Sequence, residues 1–459
     1  MERKNVWKDY DKKEKTKLEK LSKDYRHFLN VGKTERECVK EMIRVAEEAG
    51  YVDLEEIRAK KQTIKAGDKI YSVCMSKSVA LFHIGDTPME EGMNILGAHI
   101  DSPRLDVKQN PLYEKEGFAY LDTHYYGGIK KYQWATIPLA IHGVIAKKDG
   151  SVVEVCIGEG ADDPVFCVTD LLVHLAANQQ EKKANKVIEG ENLDILFGSM
   201  PLAEEEKDAV KGHVAKLLQE YYDMEEEDFL SAELEIVPAG EARDCGLDRS
   251  MIIGYGQDDR VCAYTSFVAM METKRVKKTA CCLLVDKEEI GSVGATGMRS
   301  KFFENAVAEV MDAMGDYSEL KLRRCLSSSY MLSSDVTAAY DPLYSEAYEK
   351  KNTAFFGRGI AFSKFTGSRG KSGSNDANAE YIAKLRRIMD NNQVAFQTAE
   401  LGKVDVGGGG TIAYILALYG MQVIDSGVAV LNMHAPWEVT SKADLYEAKK
   451  CYMAFLKDA

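Results

Sequence analysis

Five short apolar runs in this chain each break off into a histidine or a carboxylate within about three residues, and that recurrence constrains the fold more than any other feature. NILGA (94–98) leads into His99 and Asp101, and MIIGYGQ (251–257) into Asp258 and Asp259. CCLLVDK (281–287) leads into Glu288 and Glu289, YMLSS (330–334) into Asp335, and VAVLNM (428–433) into His434. From about residue 246 such runs alternate with stretches of helical composition, among them CAYTSFVAMMETKRV and ANAEYIAKLRRIMDNN. Alternation of this kind predicts an α/β domain with a mostly parallel sheet. Open α/β sheets bind ligands outside the carboxyl ends of their strands, so the five ends are expected to converge on one pocket.

The remaining sequence divides around that pattern. Near the start, Thr34 and Glu37 form a capping box, and ERECVKEMIRVAEEAG carries apolar residues at helical spacing up to Gly50. KIYSVCMSKSVALFHI (69–84) alternates as paired strands do. Between about 103 and 245 the texture changes to Gly-rich, β-branched segments and then to a charged stretch, 179–228. We read this as an inserted β-rich domain with a mobile charged portion. It splits one catalytic domain, 1–102 and 246–459, around an insertion at 103–245. A chain of 459 residues exceeds what one core usually serves, which agrees with two domains.

Charge and cysteine usage narrow the partners. The formal net charge is -13, from 73 acids and 60 bases, which argues against nucleic acid or an anionic membrane as partner. The charged opening MERKNVWKDYDKKEKTKLEK has no apolar signal region, and no long apolar run suits a membrane span. The ten cysteines form no CxxC pair and several sit among apolar residues, so buried reduced thiols and a cytoplasmic location are expected.

Bringing so many carboxylates together with no basic counterpart is unfavourable unless cations join them. Imidazoles mixed with carboxylates suit zinc, manganese or cobalt better than magnesium or calcium. A dinuclear centre needs a bridging carboxylate, terminal ligands for each ion and a free carboxylate to take a proton from water. The set supplies these parts with little left over. Singly, each piece has an ordinary explanation: an HxD without partners, acidic pairs on solvated faces, a satisfied interior histidine. Residue types and spacing alone leave a dinuclear hydrolase and such scattered structural roles about equally open.

At these residues the chain resembles the aspartyl aminopeptidase family of dinuclear zinc metallopeptidases, over nearly its whole length. GAHIDSPRLDVK is similar to the family's His-x-Asp-Ser-Pro-Arg signature, which implies His99 as a ligand oriented by Asp101. QDDR resembles the bridging motif and gives the bridge to Asp258, although the family more often has Asp-Asn there. DKEEIGSVGATG resembles the Glu-Glu-Ile-Gly-Ser motif, implying Glu288 as general base and Glu289 on the second metal. SSDV points to Asp335 on the first metal, and NMHAPWE gives His434 to the second. Within the insertion, VTDLLVHLAANQQ resembles a segment whose histidine reaches a neighbouring subunit, which implies that His174 stabilises the scissile carbonyl in trans.

The resemblance therefore implies a phosphorylase/hydrolase-like mixed α/β sheet flanked by helices, with the insertion serving dimerisation. Two Zn2+ per subunit are expected, with Co2+ or Mn2+ as substitutes, and a homo-oligomer of dimers building a tetrahedral dodecamer. The expected activity is removal of N-terminal residues from peptides. Acidic selectivity needs a cation, and FSKFTGSRGKSGSNDANAEY matches the family's lysine segment loosely, so Lys371 or Arg369 is the candidate. A solvated basic loop is the alternative there. The glycine run VGGGGTI (406–412) lets backbone approach a substrate, or is simply a tight turn. Competing functions are a two-metal carboxypeptidase or N-acyl amino-acid deacylase, a non-catalytic assembly or cargo-binding shell, and a metal-dependent phosphatase.

Overall fold

The computed structural model describes residues 4–203, 207–367 and 370–459. It separates into two compact units. One comprises Met1–Asp101, Ala242–Met433 and Glu438–Ala459, the other Ser102–Glu241 with the short segment His434–Trp437.

The first unit is built on a nine-stranded sheet. Its order is Val52–Asp53, Lys69–Cys74, Ser78–His83, Ala280–Val285, Asn94–His99, Tyr330–Ser333, Gln422–Gly427, Ile360–Ser363 and Phe396–Thr398. The sheet is mixed, but its four middle strands run parallel, with Ala280, Asn94, Tyr330 and Gln422 level in register. Equal starts put His99, Glu288 and Asp335 beyond the same edge. The apolar runs are unbroken because both faces are covered. Leu96, Cys282, Leu332 and Ile424 join one core, while Ile95, Cys281, Met331 and Val423 join the other.

Local signals account for the flanking elements. The capping box of Thr34 and Glu37 starts helix Glu35–Glu48. The pair Lys69–Cys74 and Ser78–His83 is antiparallel. Helices Gln257–Glu272 and Ala379–Asn391 fall where helical composition was read.

Two of the five apolar runs lie elsewhere than expected. Met251–Gly254 and Ala429–Leu431 belong to a separate five-stranded sheet with Arg243–Cys245, Glu438–Ser441 and Thr337–Ala338. Convergence on the carboxyl edge of one sheet thus describes His99, Glu288 and Asp335. Asp258 comes from the start of a helix and His434 from a turn in the smaller sheet. A short apolar run is apolar in any buried sheet, so the run does not say which sheet it joins.

The second unit is a seven-stranded, wholly antiparallel sheet ordered Val152–Ile157, Leu139–Ala146, Ala232–Pro238, Arg104–Lys115, Phe118–Tyr126, Ile195–Gly198 and Cys167–Val168. The charged stretch 179–228 contributes strand Ile195–Gly198 and helix Ala209–Tyr222. That helix buries Val210, Val214 and Leu218, four residues apart, which fixes it on the sheet despite its charged flanks.

No helix among the described residues is long and apolar enough to cross a membrane. All ten cysteines are free, and six are buried. Cys156 departs from the expected burial: it alternates with buried Val155 and Ile157 on its strand and so faces outward.

Candidate metal centre and active site

His99 ends its strand almost fully buried, and its two ring nitrogens face different groups. Nε2 points to carboxylates: Asp258 Oδ1 at 3.3 Å, Glu288 Oε2 at 3.9 Å and Asp335 Oδ1 at 4.0 Å. Nδ1 is turned to Asp101, 3.0 Å from its carbonyl oxygen and 3.3 Å from Oδ1. A ring held from behind by a carboxylate while its other nitrogen faces acidic oxygens is the arrangement of a metal-binding histidine.

Asp101 does more than orient that ring. Its two carboxylate oxygens accept from the backbone N–H groups of Glu288 and Glu289, each at 3.1 Å. One buried side chain thereby fixes the turn that carries both glutamates. Lys287 and Ser292, on either side of them, have left-handed backbones at φ 68° and 59°. Such conformations cost non-glycine residues energy and concentrate where function fixes a loop.

The segments that carry Asp258 and Asp335 are fastened in the same manner. Asp258 N donates to Glu438 Oε2 at 3.0 Å, and Glu438 is buried. Arg260, buried on the same helix, donates from Nε to the carbonyl of Ile100 at 3.2 Å and from Nη2 to that of Lys33 at 2.9 Å. Behind Asp335 stands Gly427, where a Cβ would lie 1.7 Å from the Asp335 carbonyl oxygen, so no larger residue fits. Sequence reading gave Glu438, Arg260 and Gly427 no part in holding the candidate site. Two of them were visible inside the quoted NMHAPWE and QDDR motifs, but nothing local marks a residue whose partner is a distant backbone group.

The donor set fits a divalent cation. His99, Asp258 and Asp335 offer one ligand atom each within 4.8 Å of one another, and so do His99, Glu288 and Glu289. The crowding of acidic groups shows in the direction of their pKa shifts. Burial, then neighbouring Asp259, pushes the Asp335 carboxyl well above its ordinary range. Burial likewise raises Asp259. Burial pushes His99 towards neutrality, yet Asp101 and Asp258 overcome it and raise its pKa well above the usual value. Nitrogen and carboxylate donors in this mixture suit zinc.

The remaining sequence-selected residues are carried by other segments. His434 lies in the segment grouped with the second unit, with Nδ1 2.8 Å from Gly128 O and a left-handed φ of 65°. Four residues later the chain reaches Glu438. His174 is exposed in a single 3-10 turn, Val173–Leu175, and is therefore not a buried helix residue. Lys371 is exposed, with Nζ 2.9 Å from Asp376 Oδ2 and 3.9 Å from the Phe365 ring centroid. Arg369 lies outside the described residues.

Comparison with known proteins follows the same line. The model of the family described as "Aminopeptidase I zinc metalloprotease (M18)" matches residues 28–456. A probable M18 family aminopeptidase 1 of Clostridium acetobutylicum is 64% identical over 458 residues, covering 100% of this chain and 98% of that one. The crystal structure of aminopeptidase I from the same organism superposes with TM-score 0.93 at 62% identity, covering 100% and 99%. That of an M18 aminopeptidase from Thermotoga maritima superposes with TM-score 0.95 at 44% identity over the whole of both chains.

Proposed function

The chain belongs to the M18 family of zinc aminopeptidases, and from that premise we propose that it removes N-terminal residues from peptides at a two-zinc centre with Glu288 as general base. The first ion is assigned to His99, Asp258 and Asp335. The second is assigned to Asp258, Glu289 and His434. The observation that carries the reading is the face of His99: Nε2 meets Asp258, Asp335 and Glu288 while Asp101 holds Nδ1.

When bound, the zinc pair supplies Lewis-acid activation of water and of the scissile carbonyl. The protein's own groups do the rest. Glu288, whose side chain is 16% exposed, takes the proton of the attacking water and returns it to the leaving amine. Asp101 keeps Glu288 and Glu289 in place through their backbone amides. His174 of a second subunit donates to the carbonyl oxygen as charge develops. Its exposure, with Leu171, Leu172, Val173 and Leu175 at 48%, 58%, 60% and 70%, suits a segment that a neighbouring copy covers. We assign the second unit to dimer formation and the assembly to dimers building a tetrahedral dodecamer. Lys371 is the cation for an acidic substrate side chain.

The test combines metal and mutation. Chelated enzyme should lose turnover on aminoacyl chromogenic substrates bearing Asp, Glu, Leu, Lys and Ala, and zinc should restore it. Glu288→Ala should keep zinc in atomic-absorption assays yet lose about 10^4-fold in kcat. Turnover close to wild type in that variant removes Glu288 from its role.

A further inference from the structure

Two loops of the first unit line a cavity of about 360 Å3. One follows strand Ile360–Ser363 and contributes Phe365, Thr366 and Lys371; the other contributes Lys403, Asp405 and Gly407. They are bound together by Gly409 N donating to Thr366 O at 3.0 Å. Gly407 is obligatory there, since a Cβ would lie 2.0 Å from Leu401 O. Beyond the glycines, Thr411 Oγ1 donates to buried Asp425 at 2.6 Å. Asp425 is in register with Ser333, two residues before Asp335. The glycine run that continues from the cavity wall is thus fastened to strand Gln422–Gly427, the neighbour of the strand that leads to Asp335.

Within the cavity the lysine is already engaged. Asp376 Oδ2 lies 2.9 Å from Lys371 Nζ, and its Oδ1 lies 3.6 Å from Lys364 Nζ. Contact with Lys371, then Lys364, holds the Asp376 carboxyl below its ordinary range, so it is ionised at neutral pH. We propose that Asp376 is a specificity-determining residue that occupies Lys371 and sets how strongly an acidic N-terminal side chain is preferred over a neutral one. This rests on the reading of Lys371 given above and adds the residue that opposes it.

Charge and exposure decide the size of the effect. An incoming carboxylate gains the lysine but meets a second negative charge beside it. The side chains of Lys371 and Asp376 are 43% and 47% exposed, so water and salt weaken both terms. Removing the charge of Asp376 should therefore raise the preference for acidic residues by about two- to fivefold at low salt and by less at high salt.

The experiment compares zinc-loaded, full-length wild type, Asp376→Asn, Lys371→Met and the double variant. Each is assayed for kcat/KM on Asp-, Glu- and Leu-p-nitroanilide at low and high salt. The acidic-to-leucine ratio should rise in Asp376→Asn, fall in Lys371→Met, and be unaffected by Asp376→Asn when Lys371 is already Met. An unchanged ratio in Asp376→Asn with a fall in Lys371→Met overturns the role of Asp376 and leaves that of Lys371. No change in Lys371→Met overturns both. Asp376→Ser, checked by melting temperature, answers the same question if the Asn variant folds poorly.

Discussion

The side chains assigned to metal and those assigned to substrate have opposite surroundings. His99, Asp258 and Asp335 are mostly buried, with 2%, 5% and 12% of their side-chain surface exposed. The chain around each is fixed by a group distant in sequence: Arg260 at Ile100, Glu438 at Asp258 and Gly427 behind Asp335. His174, on a single 3-10 turn, and Lys371, between strand Ile360–Ser363 and helix Ala379–Asn391, are exposed to solvent. The difference follows from what each must do. A desolvated cluster of like charges has to be held to within fractions of an ångström before its ions arrive. A group that meets substrate or a second subunit can be ordered when that contact forms.

The largest way to break this comparison is His174→Ala. If the histidine works only on the developing charge, kcat should fall about 10^2–10^3-fold. Melting temperature should stay close to the wild-type value, because the His174 side chain is exposed on its turn and takes no part in the core of its own subunit. Mixing His174→Ala with Glu288→Ala subunits then separates cis from trans action. Under exchange, restored turnover means that one subunit's histidine serves the other's glutamate; a silent mixture means it does not.

Asp101→Ala should act in the opposite manner, with a smaller kinetic effect and a visible structural one. Losing the carboxylate behind His99 should weaken zinc about 10–100-fold, read by competition with a chromogenic chelator. It also strips acceptors from the backbone N–H groups of Glu288 and Glu289. These donors are half-buried, so leaving them unsatisfied should cost at most about 1–3 kcal/mol, and the melting temperature should drop even in chelated protein. If only zinc affinity changes, Asp101 orients His99 and does not hold the turn.

Sequence reading reached the buried region better than the exposed one, for a physical reason. Packing on both faces demands unbroken apolar runs, so strands such as 94–99 and 280–285 were legible, and with them the positions of His99 and Glu288 at the same edge of the sheet. Which sheet a run joins was not, and Met251–Gly254 and Ala429–Leu431 were assigned to the wrong one. The link from Asp101 to the two glutamates spans more than 180 residues and leaves no local trace. The charged stretch 179–228 hid a helix because its three buried positions are diluted by charge. The pairing of Lys371 with Asp376 is only five residues long and was open to notice.

The smallest effect tests where the two kinds of surroundings meet. Asp425 is 3% exposed, accepts the Thr411 hydroxyl and so anchors the glycine run to the sheet. Burial pushes its carboxyl up to about 7, against about 3.9 in an unfolded chain. Below about pH 4 both states hold the proton and Asp425 contributes its full stability. As pH rises towards 7 the unfolded chain sheds the proton while the folded one keeps it, so stability is lost through that window and stays lost above it. Asn at 425 retains an oxygen for Thr411 and cannot ionise. Zinc-free Asp425→Asn should therefore melt with wild type near pH 4 and a few degrees above it at pH 8. Parallel melting curves would mean that the ionised carboxylate is satisfied in the fold, making the floor of the glycine run a polar, solvated region more like the loops above it than like the buried carboxylates beside it.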